Sequence, residues 1–333
     1  MYRILYRQMY GRRRRRPHGG SHSAAGIVSG ETRALAGARR GGRSWGVMST
    51  VDELGAHVSV AGGVDRAPGR AAEMGAVVLQ IFTRQPNRWA DPVLREDAVA
   101  GYRGEAARRG VTWAAAHDSY LINLSSPDPI LWRRSADSFR RELERAALLD
   151  LDAVVTHPGN ATDGDRASGI ERNAAGVAEA LEAVPGGPRV LLELTAGAGT
   201  SVGGTFEELA RIIRLVPAPH RDRVGVCFDT CHAWVAGLDL RGDFDGVWMR
   251  ADDTFGTHRI ELFHLNDART PFGSRLDRHE NIGKGTMGIE PFRLLMNSGR
   301  FRAVPKVLET PKGGDGVSAD RENLTLLRGL RRP

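Results

Sequence analysis

The chain has 333 residues, enough to bury a large core without disulfides or stabilising metals. The sequence contains no apolar run near the ~18 residues that suggest a membrane span, which argues against an integral membrane protein. Two cysteines cannot build a disulfide framework, so a disulfide-rich secreted scaffold is excluded and a reducing compartment is expected.

The formal charge of +7 originates in the N-terminal part of the chain. Residues 1–50 contain eleven arginines and a single acidic residue, Glu31, whereas residues 51–333 contain 36 basic and 39 acidic residues. The first segment has no helical or strand period, so it is predicted to be a disordered, Arg-rich extension. The sequence therefore separates this extension, 1–50, from a folded domain, 51–333.

Three interpretations of the extension remain open. We favour a translation start near Met48, which would make the extension dispensable. Alternatively, the extension is an arm whose arginines contact nucleic-acid phosphates. The third interpretation is a targeting segment, although a secretory signal is disfavoured because no apolar run of roughly 7–15 residues follows the arginines.

From residue 55 onward, eight short apolar runs alternate with segments of helical spacing such as SFRRELERAALLDL and TFEELARIIRLV. Continuous apolar runs are typical of parallel strands covered on both faces. The pattern predicts a single (β/α)8 TIM barrel of the α/β class. An open doubly wound sheet is the alternative, but no G-x-G-x-x-G follows the first strand. The runs are GAHVSV (55–60), VVLQIF (77–82), TWAAAH (112–117), AVVTH (153–157), RVLLEL (189–194), VGVCFD (224–229), IELFHL (260–265) and VPKVLE (304–309).

Six of the runs carry a metal-ligand residue type at their carboxyl end. In a TIM barrel these ends converge on the face that carries the active site. One histidine at a strand end is more often structural, but six ligand types in register are hard to explain in that way. Burying unpaired acids and imidazoles together is costly, and divalent cations remove the cost. A polynuclear metal site is therefore predicted at this face. The six residues are His117, His157, Glu193, Asp229, His264 and Glu309.

Further ligand types follow the sixth and seventh runs. His232 lies just beyond the sixth run, and Asp277 and His279 lie in the Gly-flanked segment SRLDRHENIGKG, which is predicted to be a loop. Nitrogen and oxygen ligands of this kind suit zinc or manganese. Cys227 and Cys231 are not required, and we interpret them as bystanders.

Several long motifs carry a resemblance that spans residues 55 to 312. The folded domain resembles the endonuclease IV family of apurinic/apyrimidinic endonucleases, within the xylose isomerase-like TIM barrel superfamily. The matching stretches are GAHVSVAGG, HDSYLINLSSP, THPGN, LELTAGAG, CFDTCHAWVAGLDL, FHLNDART, SRLDRHENIGKG and VLETP.

The resemblance implies three zinc ions per chain at the barrel mouth, with manganese as an alternative at one site. Glu193 would bridge two of the ions and is the implied catalytic carboxylate. All nine implied positions match the family in residue type. The implied sets are His117, His157 and Glu193; Glu193, Asp229, His264 and Glu309; and His232, Asp277 and His279.

The reaction implied by the resemblance is hydrolysis of the phosphodiester 5′ to an abasic site in double-stranded DNA. The products would be a 3′-hydroxyl and a 5′-deoxyribose phosphate, and 3′-blocked ends would be cleaned by the same site. Closely spaced divalent cations suit this chemistry because they activate water and stabilise charge on the phosphate. The resemblance also implies a monomer in the bacterial cytoplasm, associated with the nucleoid through DNA.

Four residues are candidate DNA contacts. Tyr120 and Leu121 could wedge into a base stack, although packing under the barrel rim is the alternative. Arg278 is a candidate phosphate contact, with a surface salt bridge as the alternative. The fourth candidate is Arg88. In FTRQPNRW, Asn87 occupies the place where the family carries an inserting arginine, so either Arg88 reaches that place from the neighbouring position or the insertion contact is weakened.

Other departures from the family pattern are Leu194 after the bridging glutamate and Glu280 after His279; neither removes an implied ligand. His57 is expected to be structural or to support the site. The enzymatic alternative is a sugar isomerase or epimerase of the same superfamily, which would not need the third ligand set. The non-enzymatic alternative is a nucleic-acid-binding scaffold that acts through the basic extension.

Overall fold

The computed structural model describes residues 53–332. The predicted extension, 1–50, lies outside the described residues. Within these residues the structure has ten strands, of which eight form one closed, all-parallel barrel. The predicted TIM barrel is confirmed, and the open-sheet alternative is wrong. The strands are β1 (Leu54–His57), β2 (Val78–Phe82), β3 (Trp113–His117), β4 (Ala153–Thr156), β5 (Arg189–Glu193), β6 (Val224–Asp229), β7 (Ile260–His264), β8 (Asp267–Ala268), β9 (His279–Glu280) and β10 (Lys306–Leu308).

The barrel order is β1, β10, β7, β6, β5, β4, β3 and β2, with β2 hydrogen-bonded back to β1. Helices lie between consecutive barrel strands along the chain, as a parallel barrel requires. No helix in the described part of the chain combines the length and apolar character of a membrane span. The helices are α1 (Ala67–Glu73), α2 (Glu96–Arg108), α3 (Pro129–Leu148), α4 (Arg166–Ala183), α5 (Phe206–Leu215), α6 (Ala218–Arg221), α7 (Thr230–Ala236), α8 (Phe244–Phe255), α9 (Glu290–Met296) and α10 (Ser318–Gly329).

A small apolar cluster fills the barrel interior, separate from the larger core between strands and helices. Side chains alternate across a strand, so the residue two positions after an inward-facing one also faces inward. Leu191 is thus followed by Glu193, and Leu262 by His264, at the strand ends. The interior cluster therefore forms an apolar floor beneath the side chains at these strand ends. Its members are Val78, Ala115, Ala153, Val155, Leu191, Cys227, Leu262 and Val307.

Element boundaries differ from the sequence expectations by more than one residue in three places. The first strand ends at His57 rather than at residue 60, and the last contains only Lys306–Leu308. The segment after β7, predicted to be a loop, contributes to an antiparallel pair in which Ala268 is opposite His279. Two-residue strands carry no detectable period, which explains why the sequence did not reveal them.

Candidate metal centre

Glu193 lies at the middle of a cluster of imidazoles at the mouth of the barrel. It ends β5 and is fully buried. Its Oε2 lies 3.1 Å from Nε2 of His117 and 3.0 Å from Nε2 of His157. Its Oε1 lies 3.1 Å from Nδ1 of His232 and 3.3 Å from Nδ1 of His264. The two oxygens of one carboxylate thus face two different sets of histidines.

The β6–α7 junction brings Asp229 and His232 together through local backbone chemistry. Asp229 ends β6 and is the N-cap of α7, where its Oδ1 accepts the backbone N–H of His232 at 2.8 Å. Such a cap satisfies a helix N–H that has no partner within the helix. Oδ2 of Asp229 accepts a hydrogen bond from Nδ2 of Asn266 at 2.7 Å and lies 3.8 Å from Nδ1 of His264. One oxygen therefore caps the helix while the other faces the cluster.

Glu309 closes the same side of the cluster from just beyond β10. Its Oε2 lies 3.2 Å from Nδ1 of His264, which ends β7. The backbone N–H of Glu309 donates to Oδ1 of Asn266 at 2.9 Å. Asn266 therefore contacts both residues, and its amide connects the carboxylate of Asp229 to the backbone of Glu309.

A further group is built by α7 and the segment that ends in β9. Nε2 of His232 lies 3.3 Å from Oδ2 of Asp277, and Nε2 of His279 lies 3.3 Å from Oδ1 of Asp277. Oδ1 of Asp277 and Nε2 of His279 are buried without a hydrogen-bond partner. Orphaned buried polar atoms are uncommon and call for an explanation. A cation held between these two atoms would satisfy both.

The donor set fits divalent metal ions. Ligand atoms in each of several groups lie within 4.8 Å of one another, and three of these groups coincide with the sets expected from the sequence. The donors are imidazole nitrogens and carboxylate oxygens, which zinc and manganese accept. A fourth group joins Asp229, Cys231 and His279. The matching groups are His117, His157 and Glu193; Glu193, Asp229, His264 and Glu309; and His232, Asp277 and His279.

Each of four imidazoles has one ring nitrogen anchored on an oxygen outside the cluster. Nδ1 of His117 lies 3.0 Å from the carbonyl of Asp118, Nδ1 of His232 2.8 Å from that of Leu194, and Nδ1 of His279 3.2 Å from that of Glu309. An anchored N–H leaves the opposite nitrogen free as a ligand, the usual arrangement around metals. The fourth, His264, is anchored through Nε2, 2.9 Å from Oε1 of Gln80.

Without metal, the cluster compensates its charges with protons. Burial lowers the pKa of His117, but hydrogen bonding and charge from Glu193 outweigh burial and raise it to about 10. Burial also lowers the pKa of His279, but the charges of Asp229 and Asp277 outweigh burial and raise this pKa to about 9. The pKa of Glu193 falls well below its usual range because the charges of His157 and His264 outweigh burial. These groups therefore form an imidazolium–carboxylate cluster that metal ions would have to deprotonate.

Sequence reasoning missed Gln80 as part of the site. It lies in the middle of β2, is fully buried, and contacts His264, Glu309 and His57. The available signal was a single polar residue in the apolar run VVLQIF. His57 was expected to be structural or supporting; its Nδ1 lies 3.4 Å from Oε1 of Glu309, and burial lowers its pKa to about 4.

The candidate DNA contacts lie around the mouth with different exposures. Tyr120 is half-buried beside the cluster, with its ring centroid 5.3 Å from that of Phe82, and Leu121 is also half-buried. Asn87 and Arg88 are exposed. Tyr120 lines the depression above the ligand cluster.

Arg278 and the cysteines occupy buried or partly buried positions. Arg278 is half-buried and donates to the carbonyl of Asp277 at 2.5 Å. Both cysteines are free and buried, and burial raises their thiol pKa values well above the usual range. Cys227 belongs to the interior floor, whereas Cys231 donates to the carbonyl of Arg278 at 3.7 Å.

The segment carrying Asn87 and Arg88 is attached to α3 by a second buried charged group. We call the four residues Arg84, Asp91, Glu142 and Arg145 the arginine cluster. Nε of Arg84 lies 2.7 Å from Oε1 of Glu142, and Nη1 of Arg145 lies 3.2 Å from Oδ1 of Asp91. Arg84 also donates to the carbonyl of Arg88. The arginine cluster therefore connects the exposed segment that carries Asn87 and Arg88 to α3.

Comparisons with known proteins agree with this architecture. A family model described as xylose isomerase-like TIM barrel matches residues 68–330. "Probable endonuclease 4" of Chloroflexus aggregans is 43% identical over 282 residues, covering 84% of this chain and 98% of the relative. "Probable endonuclease 4" of Geobacter sulfurreducens is 45% identical over 284 residues, covering 84% and 95%. The crystal structure of endonuclease IV from Thermus thermophilus gives a TM-score of 0.74 at 36% identity, covering 83% and 98%.

The closed parallel barrel and the family model define a xylose isomerase-like TIM barrel with a buried cluster of ligand-type residues at its mouth. The relatives narrow this class, because they share more than 40% identity over almost their whole length. The chain belongs to the endonuclease IV family, which confirms the resemblance seen in the sequence, and it is a hydrolase of the nuclease class.

Proposed function

We propose that the chain is a DNA repair endonuclease that hydrolyses the phosphodiester 5′ to abasic sites. The products are a 3′-hydroxyl and a 5′-deoxyribose phosphate, and the same site removes 3′-blocking groups. Three zinc ions occupy the centre, with manganese as an alternative at one position. The enzyme acts as a monomer on double-stranded DNA in the bacterial cytoplasm, where DNA binding associates it with the nucleoid.

The observation that carries this proposal is the position of Glu193 between two sets of histidines. Its Oε2 faces His117 and His157, while its Oε1 faces His264. A carboxylate shared in this way sets a short separation between two cations. When bound, such ions supply activated water and stabilise negative charge on the phosphate.

The remaining ligand residues define where a phosphate can sit. His232, Asp277 and His279 form a further donor set that opens onto the same depression as His117 and His157. A sugar isomerase would not need this set. The basic-scaffold alternative does not explain why all nine ligand-type residues lie at one face.

Recognition of the missing base is assigned to side chains at the rim. Tyr120 and Leu121 follow β3, and Tyr120 lines the depression; an aromatic and an aliphatic group of this kind can enter a gap in a base stack. Arg88 and Arg278 are the proposed phosphate contacts, and Arg88 takes the place of the arginine that the family carries at position 87. The described barrel carries the complete activity, so deleting residues 1–47 should leave nicking unchanged.

A duplex containing one tetrahydrofuran abasic analogue tests the proposal. The protein is saturated with zinc and assayed with and without a chelator. We expect a nick on the 5′ side of the analogue, a 3′ end that a polymerase can extend, and loss of nicking on chelation. The analogue cannot undergo β-elimination, so a nick there must be hydrolytic. An undamaged duplex is the control, and failure of the zinc-loaded protein to nick the analogue would refute the function.

A further inference from the structure

We propose that Gln80 is a positioning residue that selects the tautomer of His264 and thereby directs Nδ1 of that ring into the metal centre. The inference deepens the proposed function and rests on it, because it concerns how one ligand of the proposed centre is aimed. Gln80 lies on β2, away from the strand ends that supply the ligands, and it belongs to none of the donor groups.

Three contacts use the whole amide of Gln80. Nε2 lies 2.7 Å from Oε1 of Glu309 and 3.0 Å from Nδ1 of His57. Oε1 lies 2.9 Å from Nε2 of His264. The residue is fully buried, so no solvent competes for these groups. An amide has two N–H donors and one carbonyl acceptor, and each has a partner here.

The orientation of the amide follows from Glu309. An ionised carboxylate can only accept hydrogen bonds, so the amide nitrogen, not the oxygen, must face Glu309. The amide oxygen then faces His264, and Nε2 of His264 must carry a hydrogen to donate to it. A flipped amide would place two acceptor oxygens 2.7 Å apart at Glu309 and lose that hydrogen bond.

The consequence for His264 is that Nδ1 is the nitrogen available for a metal. Nδ1 lies 3.2 Å from Oε2 of Glu309 and 3.3 Å from Oε1 of Glu193, so it faces the carboxylates of its own donor group. The opposite tautomer would present a hydrogen to the cation and could not bind it. Gln80 thus makes the productive tautomer the favoured one.

His264 differs from three other imidazoles of the centre in the nature of its anchor. His117, His232 and His279 are each anchored on a backbone carbonyl, which substitution cannot remove. His264 is anchored on a side chain, that of Gln80. The orientation of this one ligand can therefore be tested by mutation without altering any proposed ligand.

The test compares Gln80→Met with Val78→Ala in the full-length chain. Both residues lie buried on β2, but Val78 belongs to the apolar floor and has no polar side-chain group to anchor an imidazole. Cobalt replaces zinc, and its affinity is measured by competition with a chelator. For Gln80→Met we expect affinity for one ion to fall by roughly 10–100-fold, with a changed visible spectrum. Val78→Ala should retain the affinity and spectrum of the unmodified protein.

Long-range ¹⁵N–¹H correlation spectra of the histidine rings report the tautomer directly. In the unmodified metal-loaded protein, His264 should carry its hydrogen on Nε2. Gln80→Glu keeps an oxygen near that nitrogen and should preserve this tautomer even though it adds a charge beside Glu309. A folded Gln80→Met variant with unchanged cobalt affinity would overturn the inference. If Gln80→Met does not fold, loss of the Nε2–H tautomer in Gln80→Glu would overturn it instead.

The outcomes separate this inference from the function. If the unmodified protein binds cobalt and nicks the abasic duplex while Gln80→Met does so equally well, only the role of Gln80 is refuted. If the unmodified protein binds no divalent metal, the proposed function fails. The tautomer of His264 in the metal-free protein, recorded at a pH where the ring is neutral, then still decides whether Gln80 selects it.

Discussion

The molecule buries carboxylates in two regions, and the positive partners of these carboxylates differ between the two. In the arginine cluster, Arg84 lies 2.7 Å from Glu142, and Arg145 lies 2.9 Å from the same carboxylate. These cations are permanent, because a guanidinium is not deprotonated in proteins. In the metal centre, Glu193 is surrounded instead by imidazoles such as His117, whose positive charge depends on pH.

This difference identifies the region that can exchange its positive charge for a metal ion. A guanidinium keeps its charge and cannot bind a cation, even where one of its nitrogens, Nη2 of Arg145, is buried without a hydrogen-bond partner. The imidazole–carboxylate cluster is complete only while it holds protons, and it leaves atoms of Asp277 and His279 without a hydrogen-bond partner. Divalent ions can replace those protons, so this cluster suits metal chemistry while the other suits mechanical support.

Replacing a glutamate by glutamine should reduce activity in the metal centre and reduce stability in the arginine cluster. Glu193→Gln removes the shared carboxylate and should lower the nicking rate on the order of 10³-fold or more, because metal ions contribute several kcal/mol of charge stabilisation. Nicking is followed on the abasic-analogue duplex at saturating zinc. Substantial remaining activity would refute the shared role of Glu193.

Glu142→Gln is the matched variant in the arginine cluster. It leaves two buried guanidiniums with one carboxylate, Asp91, in place of two and should lower the free energy of unfolding by about 3 kcal/mol. Metal content should not change, and the chemical step at saturating DNA should stay near that of the unmodified protein. Denaturant unfolding and metal analysis measure both effects. Loss of metal from this variant would show that the two regions are coupled.

Metal removal should destabilise the protein and change its response to pH. An ion present at a thousandfold excess over its Kd adds about 4 kcal/mol to the free energy of unfolding. In the metal-free protein, the pKa of His117 rises from 6.5 to about 10, so its stabilising contribution is present below pH 6.5 and lost as pH rises through 10. Stability without metal should therefore fall between pH 7 and 10.

The affinity of the protein for metal should rise with pH over the same range. Metal uptake near pH 7 must release protons from imidazoles whose pKa is raised, including those of His117 and His279. Calorimetry in buffers of different ionisation enthalpy counts these protons. A metal-free protein whose stability is flat from pH 7 to 10, with no proton release, would contradict the imidazolium–carboxylate cluster.

Tyr120→Ala should weaken DNA binding and leave the metal centre intact. Stacking against a base contributes roughly 1–3 kcal/mol, so the Kd for the abasic duplex should rise about 5-fold to 150-fold. Met249→Ala, which removes an exposed apolar side chain from α8, is the control. Equal affinities for the two variants would indicate that Tyr120 only packs under the rim.

The smallest effect is expected from the thiols. Cys227→Ser and Cys231→Ser should retain the full metal content, because burial keeps both thiols neutral. Cys231 is the sharper test, since it shares a possible donor group with Asp229 and His279. Metal analysis of each purified variant decides the point. Loss of one ion from Cys231→Ser would make that cysteine a ligand.

Much of the centre could be predicted because it follows from strand ends. Apolar runs locate parallel strands, and Glu193 and His264 are the terminal residues of theirs. Gln80 could not be assigned in this way, because its role depends on which neighbours it meets across the barrel rather than on spacing. The β8–β9 pair was missed for a related reason: its two-residue strands are fixed by tertiary contacts, not by a local pattern.

The arginine cluster was also invisible in the sequence. Arg84 and Glu142 are 58 positions apart, and charged residues at such separations are usually solvated. Only the packing of α3 against the segment after β2 buries them together. Candidate ligand residues are therefore readable from strand ends, while supporting contacts require the folded structure.

The number of divalent ions bound per chain tests the central claim most directly. Mass spectrometry under native conditions, at saturating zinc, should show three ions on the unmodified chain and fewer on Glu193→Gln. A chain that binds no zinc under these conditions would contradict the metal centre described here.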